Sequence, residues 1–324
     1  YYFRGDVDNN YVKFGTYSQD LYYGKDSNSN YVIGSSCANI QTNCQKLASN
    51  GDSMYWRIIR INGDGSVRMI YAGTEAYANG SEEQPTSIIG QSPYSTSYND
   101  NAYVGYMYGT AGSLTYEETH KNINDSTIKT FIDNWYKTYL SNYTDYLQDA
   151  IYCNDRSVTP VDNFAGEELH GNGTGTSNTA YSSFSRNNVN KPLKPSLKCT
   201  NVNDMFTVNV SNGNGALTYP VGLITTDELL LGGSGNSEYL GLNNTILIIN
   251  PNIYLSITSY WFWTMTPAAT VNYFAIMYRG SAGCVAPNDD PASFFDGGVR
   301  PVISLKPDAI TGGDGTMNNP FIVG

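Results

Sequence analysis

Positive charge is scarce in this chain. Among 324 residues, 18 are basic and 29 acidic, for a formal net charge of −11. Nucleic acid needs a basic surface against its phosphates, so the balance argues against such a partner. It argues equally against an anionic membrane surface. Long apolar runs are missing too, and none reaches the length that spans a bilayer. Histidine is nearly absent, with only His120 and His170, and there is no C-x-x-C motif. A structural zinc site needs a compact cysteine–histidine cluster, so no metal is expected to hold the fold. Charged residues make up only 15% of the chain, below the share in ordinary soluble domains, which points to an exported protein.

Gly, Asn, Ser, Thr and Tyr fill the sequence instead, with 32 glycines and 28 tyrosines. Apart from strand-favouring Tyr and Thr these are turn residues, and none is a strong helix former. The composition therefore predicts a strand- and loop-rich chain. The length suits one large domain or two ordinary ones, and buries a core without staples. The chain opens Tyr1-Tyr2-Phe3 with no Met; a preceding signal peptide, prepilin helix or cloning sequence is the expected reason.

Five cysteines are present: Cys37, Cys44, Cys153, Cys199 and Cys284. Cys37 and Cys44 share a polar stretch and can close a small ring. Cys153 and Cys199 bracket a Gly/Asn/Ser-rich stretch that a clamp would restrain. Two disulfides with one thiol left over fit an oxidising compartment.

Along the chain, residues 1–15 read as extended and 16–53 as a polar insertion carrying the first cysteine pair. The clearest hairpin follows, with strands at 55–61 and 66–71. Its turn, Asn62-Gly63-Asp64-Gly65, supplies the positive φ angles tight hairpins need. Residues 72–115 read as a long ordered loop or several weak strands. Residues 126–150 read as the one strong helix, where Ile128, Phe131, Ile132, Trp135, Tyr139, Tyr143, Tyr146 and Leu147 keep helical spacing. Asp125 or Ser126 caps its start, and Ser141-Asn142 divides it. Residues 160–196 read as a surface excursion. Thr225 and Glu228 form a capping box for a short helix over 225–231, which Gly232-Gly233 ends. Further strands are expected at 246–249, 260–264, 299–305 and 321–323.

Five segments, taken in order, carry a resemblance. They are Tyr55-Trp56-Arg57-Ile58-Ile59-Arg60-Ile61-Asn62-Gly63-Asp64-Gly65, Cys153-Asn154-Asp155-Arg156-Ser157, Gly222-Leu223-Ile224-Thr225-Thr226-Asp227-Glu228, Trp263-Thr264-Met265-Thr266-Pro267 and Gly298-Val299-Arg300-Pro301-Val302-Ile303-Ser304-Leu305. The set resembles a group of uncharacterised surface proteins of gut Firmicutes, many with a prepilin-like N-terminal segment. That group is similar to the C-type lectin-like superfamily, which includes the variable proteins of diversity-generating retroelements and the formylglycine-generating enzymes. The resemblance spans nearly the whole chain. It implies a single α+β domain over 1–324, a C-type lectin-like fold with mixed and antiparallel sheets and one or two main helices. Residues 16–53 and 160–196 would be insertions. It also implies that the terminal strands pair, that the 55–71 hairpin lies near 299–305, and that 264–298 faces a ligand.

Residues 268–296 mix small, aromatic and amide side chains between two motif-rich flanks, the composition of adaptable binding surfaces. Tyr273, Tyr278, Phe294 and Phe295 would supply contact area, and Arg279, Asn288 and Asp289 polar specificity. Ala275, Asp290 and Ser293 complete the candidate surface. A one-residue slip in register would reverse which strand positions point out. The stretch 286–296 is the firmer loop, since Pro287, Asn288, Asp289, Asp290 and Pro291 are turn residues. A retroelement that randomises adenines turns AAC codons into NNC codons, which cannot encode Trp, Met, Glu, Lys or Gln. Between 268 and 296 only Met277 belongs to that set, and the isolated Cys284 is a simple product of such mutation.

Other signals read as structural. Arg4-Gly5-Asp6 is a short tripeptide in a motif position. Asp289-Asp290, Asn62-Gly63-Asp64-Gly65 and Gly312-Gly313-Asp314-Gly315 offer oxygen ligands, but none has the spaced ladder of an EF-hand, so turns rather than calcium are expected and no cofactor is assigned. Neither histidine lies in a catalytic motif, and the adjacent pairs Glu117-Glu118 and Glu167-Glu168 suit solvated faces rather than sugar hydrolysis. Arg156 among carboxylates reads as an ion-pair node. The expectation is thus not an enzyme but a bacterial extracellular or cell-surface protein, adhesin-like or pilus-associated. Its partner would be a protein or glycan on another cell or phage surface. The alternative is a pilin-like subunit that self-assembles into a filament.

Overall fold

A computed structural model describes residues 1–81, 87–164, 166–186, 194–233, 253–256, 261–272, 274–280, 290–294 and 297–324. For 163–164, 274–276, 278–280 and 290 it describes the backbone. The fold is mixed, mostly strands with a few short helices.

Six strands open the chain: β1 (Tyr11–Thr16), β2 (Leu21–Lys25), β3 (Tyr31–Gly34), β4 (Thr42–Ala48), β5 (Ser53–Ile61) and β6 (Val67–Gly73). β5 and β6 form the expected hairpin, with Ile61 opposite Val67 and Ile58 opposite Met69. In its turn Gly65 takes φ 84°, a conformation that costs glycine little. Asp64 Oδ1 accepts from the Ser66 amide and hydroxyl, a turn-forming role. The stretch read as a polar insertion builds a three-stranded sheet, β3-β2-β4. Leu21, Tyr23 and Ala48 of that sheet are buried in the molecule.

Helix α1 (Thr127–Tyr139) begins at Ser126, whose hydroxyl accepts from the Lys129 amide at 3.3 Å. Its apolar face is buried, and Trp135 meets Trp56 of β5 edge-on at 6.4 Å between ring centroids. The α-helix stops at Tyr139, short of the expected 150, and a 3-10 turn, Ser141–Tyr146, follows at the division read from Ser141-Asn142. Later elements include β7 (Thr179–Ala180), α2 (Ser182–Arg186), α3 (Thr226–Leu231), β8 (Phe262–Val271), β9 (Phe274–Gly280), β10 (Asp290–Pro291), β11 (Val302–Leu305), β12 (Ile310–Gly312) and β13 (Phe321–Val323). Both capping-box bonds of α3 are made, and Gly232 closes it by donating to Glu228 O. The strand expected at 246–249 lies outside the described residues.

A six-stranded mixed sheet, ordered β11-β6-β5-β1-β13-β12, forms the base. β1 runs parallel to β13, with Val12 opposite Phe321, and β11 pairs antiparallel with β6, with Val302 opposite Ile70. The terminal strands therefore meet, and the hairpin lies against 302–305. All seven residues of β6 are buried, because the sheet is covered on both faces. An antiparallel four-stranded sheet, β7-β8-β9-β10, stands apart in pairing but shares the core. Residues 179–186, part of the expected excursion, are built in: Thr179 pairs with Thr270, and Ala180 and Phe184 pack against Ala268 and Ala269. No described helix is long and apolar enough to cross a membrane.

Candidate ligand-binding face

The candidate segment starts on β8, and every residue of that strand is buried. Pro267 lacks an amide hydrogen, and the pairing of β8 with β9 shifts register on both sides of it. A strand interrupted in this way needs other partners for its backbone, and they come from four separate segments. Asn154 Nδ2 donates to Met265 O at 2.8 Å, and Met265 N to Ile224 O at 2.8 Å. The Ser183 hydroxyl donates to Pro267 O. Trp263 N donates to Gly298 O at 3.1 Å, and its Nε1 donates to Ser92 O at 2.7 Å. The Thr266 hydroxyl in turn accepts from Thr226 N at 3.0 Å, tying β8 to the start of α3.

The hairpin turns at Asn272, which takes φ 51°, a left-handed conformation Asn tolerates better than most residues. Its amide donates to Asn178 Oδ1 at 2.9 Å. β9 then returns with Ala275 opposite Thr270, and β10 pairs Asp290 with Met277. Met277 is buried. After β10, Ala292 is buried and its carbonyl accepts from Ser95 N at 2.9 Å, whereas Phe294 is 48% exposed.

Among the sequence-predicted contacts, Ala275, Tyr278 and Arg279 are positions on β9, and Asp290 opens β10. Ser293 is half-buried and Phe294 exposed on the turn beyond. Tyr273, Asn288, Asp289 and Phe295 lie outside the described residues, as does Cys284. The sheet thus brings Ala275, Tyr278, Arg279, Asp290, Ser293 and Phe294 onto one hairpin and the turn next to it.

The other singled-out residues have structural surroundings. Gly5 donates to Gly232 O at 2.9 Å, and Asp6 Oδ1 accepts from Asn79 Nδ2, so the Arg4-Gly5-Asp6 segment is tied into the fold. His120 is buried, and its Nε2 donates to Gly173 O at 2.8 Å. Burial, then the charge of Arg156, lowers its pKa to about 3. His170 lies at the surface with Nε2 3.0 Å from Asp162. Asp314 Oδ1 accepts from the Thr316 amide and hydroxyl, again a turn. Among the described residues no group of three His, Cys, Asp or Glu side chains could hold a metal ion. Both disulfides form, Cys37–Cys44 and Cys153–Cys199.

One feature escaped the sequence reading. A polar cleft of about 530 Å³ runs from Arg60 and Arg68 on the hairpin to Asp227 and Glu228 at the start of α3, and reaches Thr266 of β8. Glu228 was legible as a capping residue, but nothing local pairs it with arginines on β5 and β6.

No family model, curated protein or solved structure matches this chain.

Proposed function

We propose that this chain is a bacterial cell-surface or pilus-associated binding protein, adhesin-like, with a C-type lectin-like fold. It holds a protein or glycan on another cell or phage surface through residues 268–296. One observation supports this most: a fully buried strand, bonded from four separate segments, leads into a hairpin and then to an exposed aromatic, Phe294. Recognition usually sits on segments held by a rigid scaffold, and aromatic side chains give large contact area at low entropic cost. Two disulfides favour an oxidising, extracellular setting. The composition of 268–296 further supports a segment diversified by a retroelement.

The test is deep sequencing of codons 268–296 in the source population, with the neighbouring locus. Substitutions confined to adenines, beside a reverse transcriptase and a template copy, are expected. An invariant segment without such neighbours removes diversification and leaves a fixed adhesin. Protein and glycan arrays probed with the native chain and with a variant carrying alanines at Ser293 and Phe294 then test binding itself. Polymers of the native protein, with no array partner, would replace the binding reading by the filament subunit.

A further inference from the structure

The polar cleft is walled by the end of the β5–β6 hairpin on one side and by α3 with the Cys153–Cys199 bridge on the other. Its charges are unevenly shared. Glu228, 2% exposed, takes Arg60 Nε at 3.1 Å and also Arg68, so two cations meet one anion. Arg186 sits between Asp155 at 2.7 Å and Asp227 at 3.0 Å, so one cation meets two anions. Lys198 and Asp149 line it as well, and the Asp149 carboxylate accepts from the Val208 and Asn209 amides. Asp64, also in the lining, is engaged in its own turn with Ser66.

Arg60 bonds to the protein through Nε alone, and its side chain is 20% exposed. Among the described residues its two terminal nitrogens have no hydrogen-bond partner. A guanidinium fork of this kind matches a planar carboxylate with two parallel bonds. Ser196, Ser211, Asn212, Gln148 and Thr225 add hydroxyls and amides. Groups that both donate and accept suit sugar hydroxyls, which do the same. Among the described residues no aromatic ring lines the cleft, which disfavours a flat apolar ligand. The volume lies in the range of small-molecule sites.

We infer that this cleft binds a carboxylated saccharide, its carboxylate on the terminal nitrogens of Arg60 and its hydroxyls among the serine and amide side chains of the lining. None of the described residues lining the cleft falls within 268–296.

D-glucuronate and D-galacturonate, their neutral parents glucose and galactose, and trigalacturonate are titrated calorimetrically into the native chain, Arg60→Gln and Arg60→Lys. A uronate is expected to bind the native chain at least about tenfold more tightly than its neutral parent, the worth of a charge-assisted hydrogen bond. Arg60→Gln should lose that factor, and Arg60→Lys should keep part of it. Tighter binding of the trimer points to a polysaccharide end, and equal binding to a free sugar. The proposal is overturned if uronate and parent bind equally, or if no uronate binds the folded native chain. It is also overturned if binding survives in Arg60→Gln but is lost on substituting Ser293 and Phe294, which would put the sugar at the other site. Should Arg60→Gln fail to fold, the comparison of uronate with parent on the native chain still decides.

Discussion

Arg156 and Asp204 meet at 2.7 Å, 48 residues apart in sequence, with 0% and 1% of their side chains exposed. The guanidinium also donates to Met107 O and Asn203 O, and the Arg156 amide donates back to Asp204. Burial pushes the Asp204 carboxyl up in pKa, and Arg156 works against that. The pair is a junction between three loops, as its reading as an ion-pair node expects.

Removing one partner of such a pair leaves a buried charge alone. Arg156→Met should therefore cost about 3–5 kcal/mol in urea unfolding. Arg156→Met combined with Asp204→Leu should recover part of the loss. A single-variant cost below about 1 kcal/mol would show that the pair is not buried as described.

The two disulfides should differ in worth. Cross-linking restricts the unfolded chain more when the closed loop is longer. The sequence separations are 46 for Cys153–Cys199 and 7 for Cys37–Cys44. Loop-closure entropy gives about 4 kcal/mol for the first and about 2.5 kcal/mol for the second. Paired Cys→Ser variants, compared by denaturant midpoint, should rank in that order; the reverse ranking would contradict the entropic account.

His120 ties stability to pH. Its Nε2 bears the proton that Gly173 O accepts, and Nδ1 is buried without a partner. With a folded pKa of about 3 against an ordinary 6.5, the unfolded chain takes up the proton first. This contribution is complete above pH 6.5 and is lost as the pH falls towards about 3, at up to about 1.4 kcal/mol per pH unit. Native protein should thus lose more stability than His120→Gln between pH 7 and pH 4.5. Parallel losses would mean the imidazole is protonated in the fold.

Scaffold and face should respond differently to truncation. Trp263 is buried and bonded to Ser92 O, so Trp263→Ala should cost about 3–5 kcal/mol. Phe294→Ala, on an exposed ring, should change stability by less than about 0.5 kcal/mol. It should weaken capture of any partner found on the arrays. A large loss of stability from Phe294→Ala would make it a packing residue rather than a contact.

Local features were legible in advance. The Asn62-Gly63-Asp64-Gly65 turn set the hairpin, the spacing of Ile128, Phe131, Ile132 and Trp135 set α1, and Thr225 with Glu228 set α3. Each depends on neighbours within a few residues, which composition and periodicity reveal. The three-stranded sheet in 16–53 was hidden because β4 alternates poorly: four of its seven residues, Thr42, Asn43, Gln45 and Lys46, are polar and exposed. The built-in part of 160–196 was hidden because two short elements, β7 and α2, carry too few residues to show a period. Of the candidate face, the sequence marked the segment 268–296 with Phe294 in it, and the β8–β9 hairpin and its register came only from the structure.

Sequence alone determined the β5–β6 hairpin, the start of α1, the capped helix α3 and the polar, acidic character that argues against a nucleic-acid surface. Tertiary structure alone decided which charges meet. Arg60 and Glu228 are separated by 168 residues, and Arg186 finds Asp155 and Asp227 from opposite directions along the chain. Helix caps and tight turns are fixed by bonds to near neighbours, so a short window of residues encodes them. Ion pairs and clefts depend on distances in space, and those exist only once the sheets have packed.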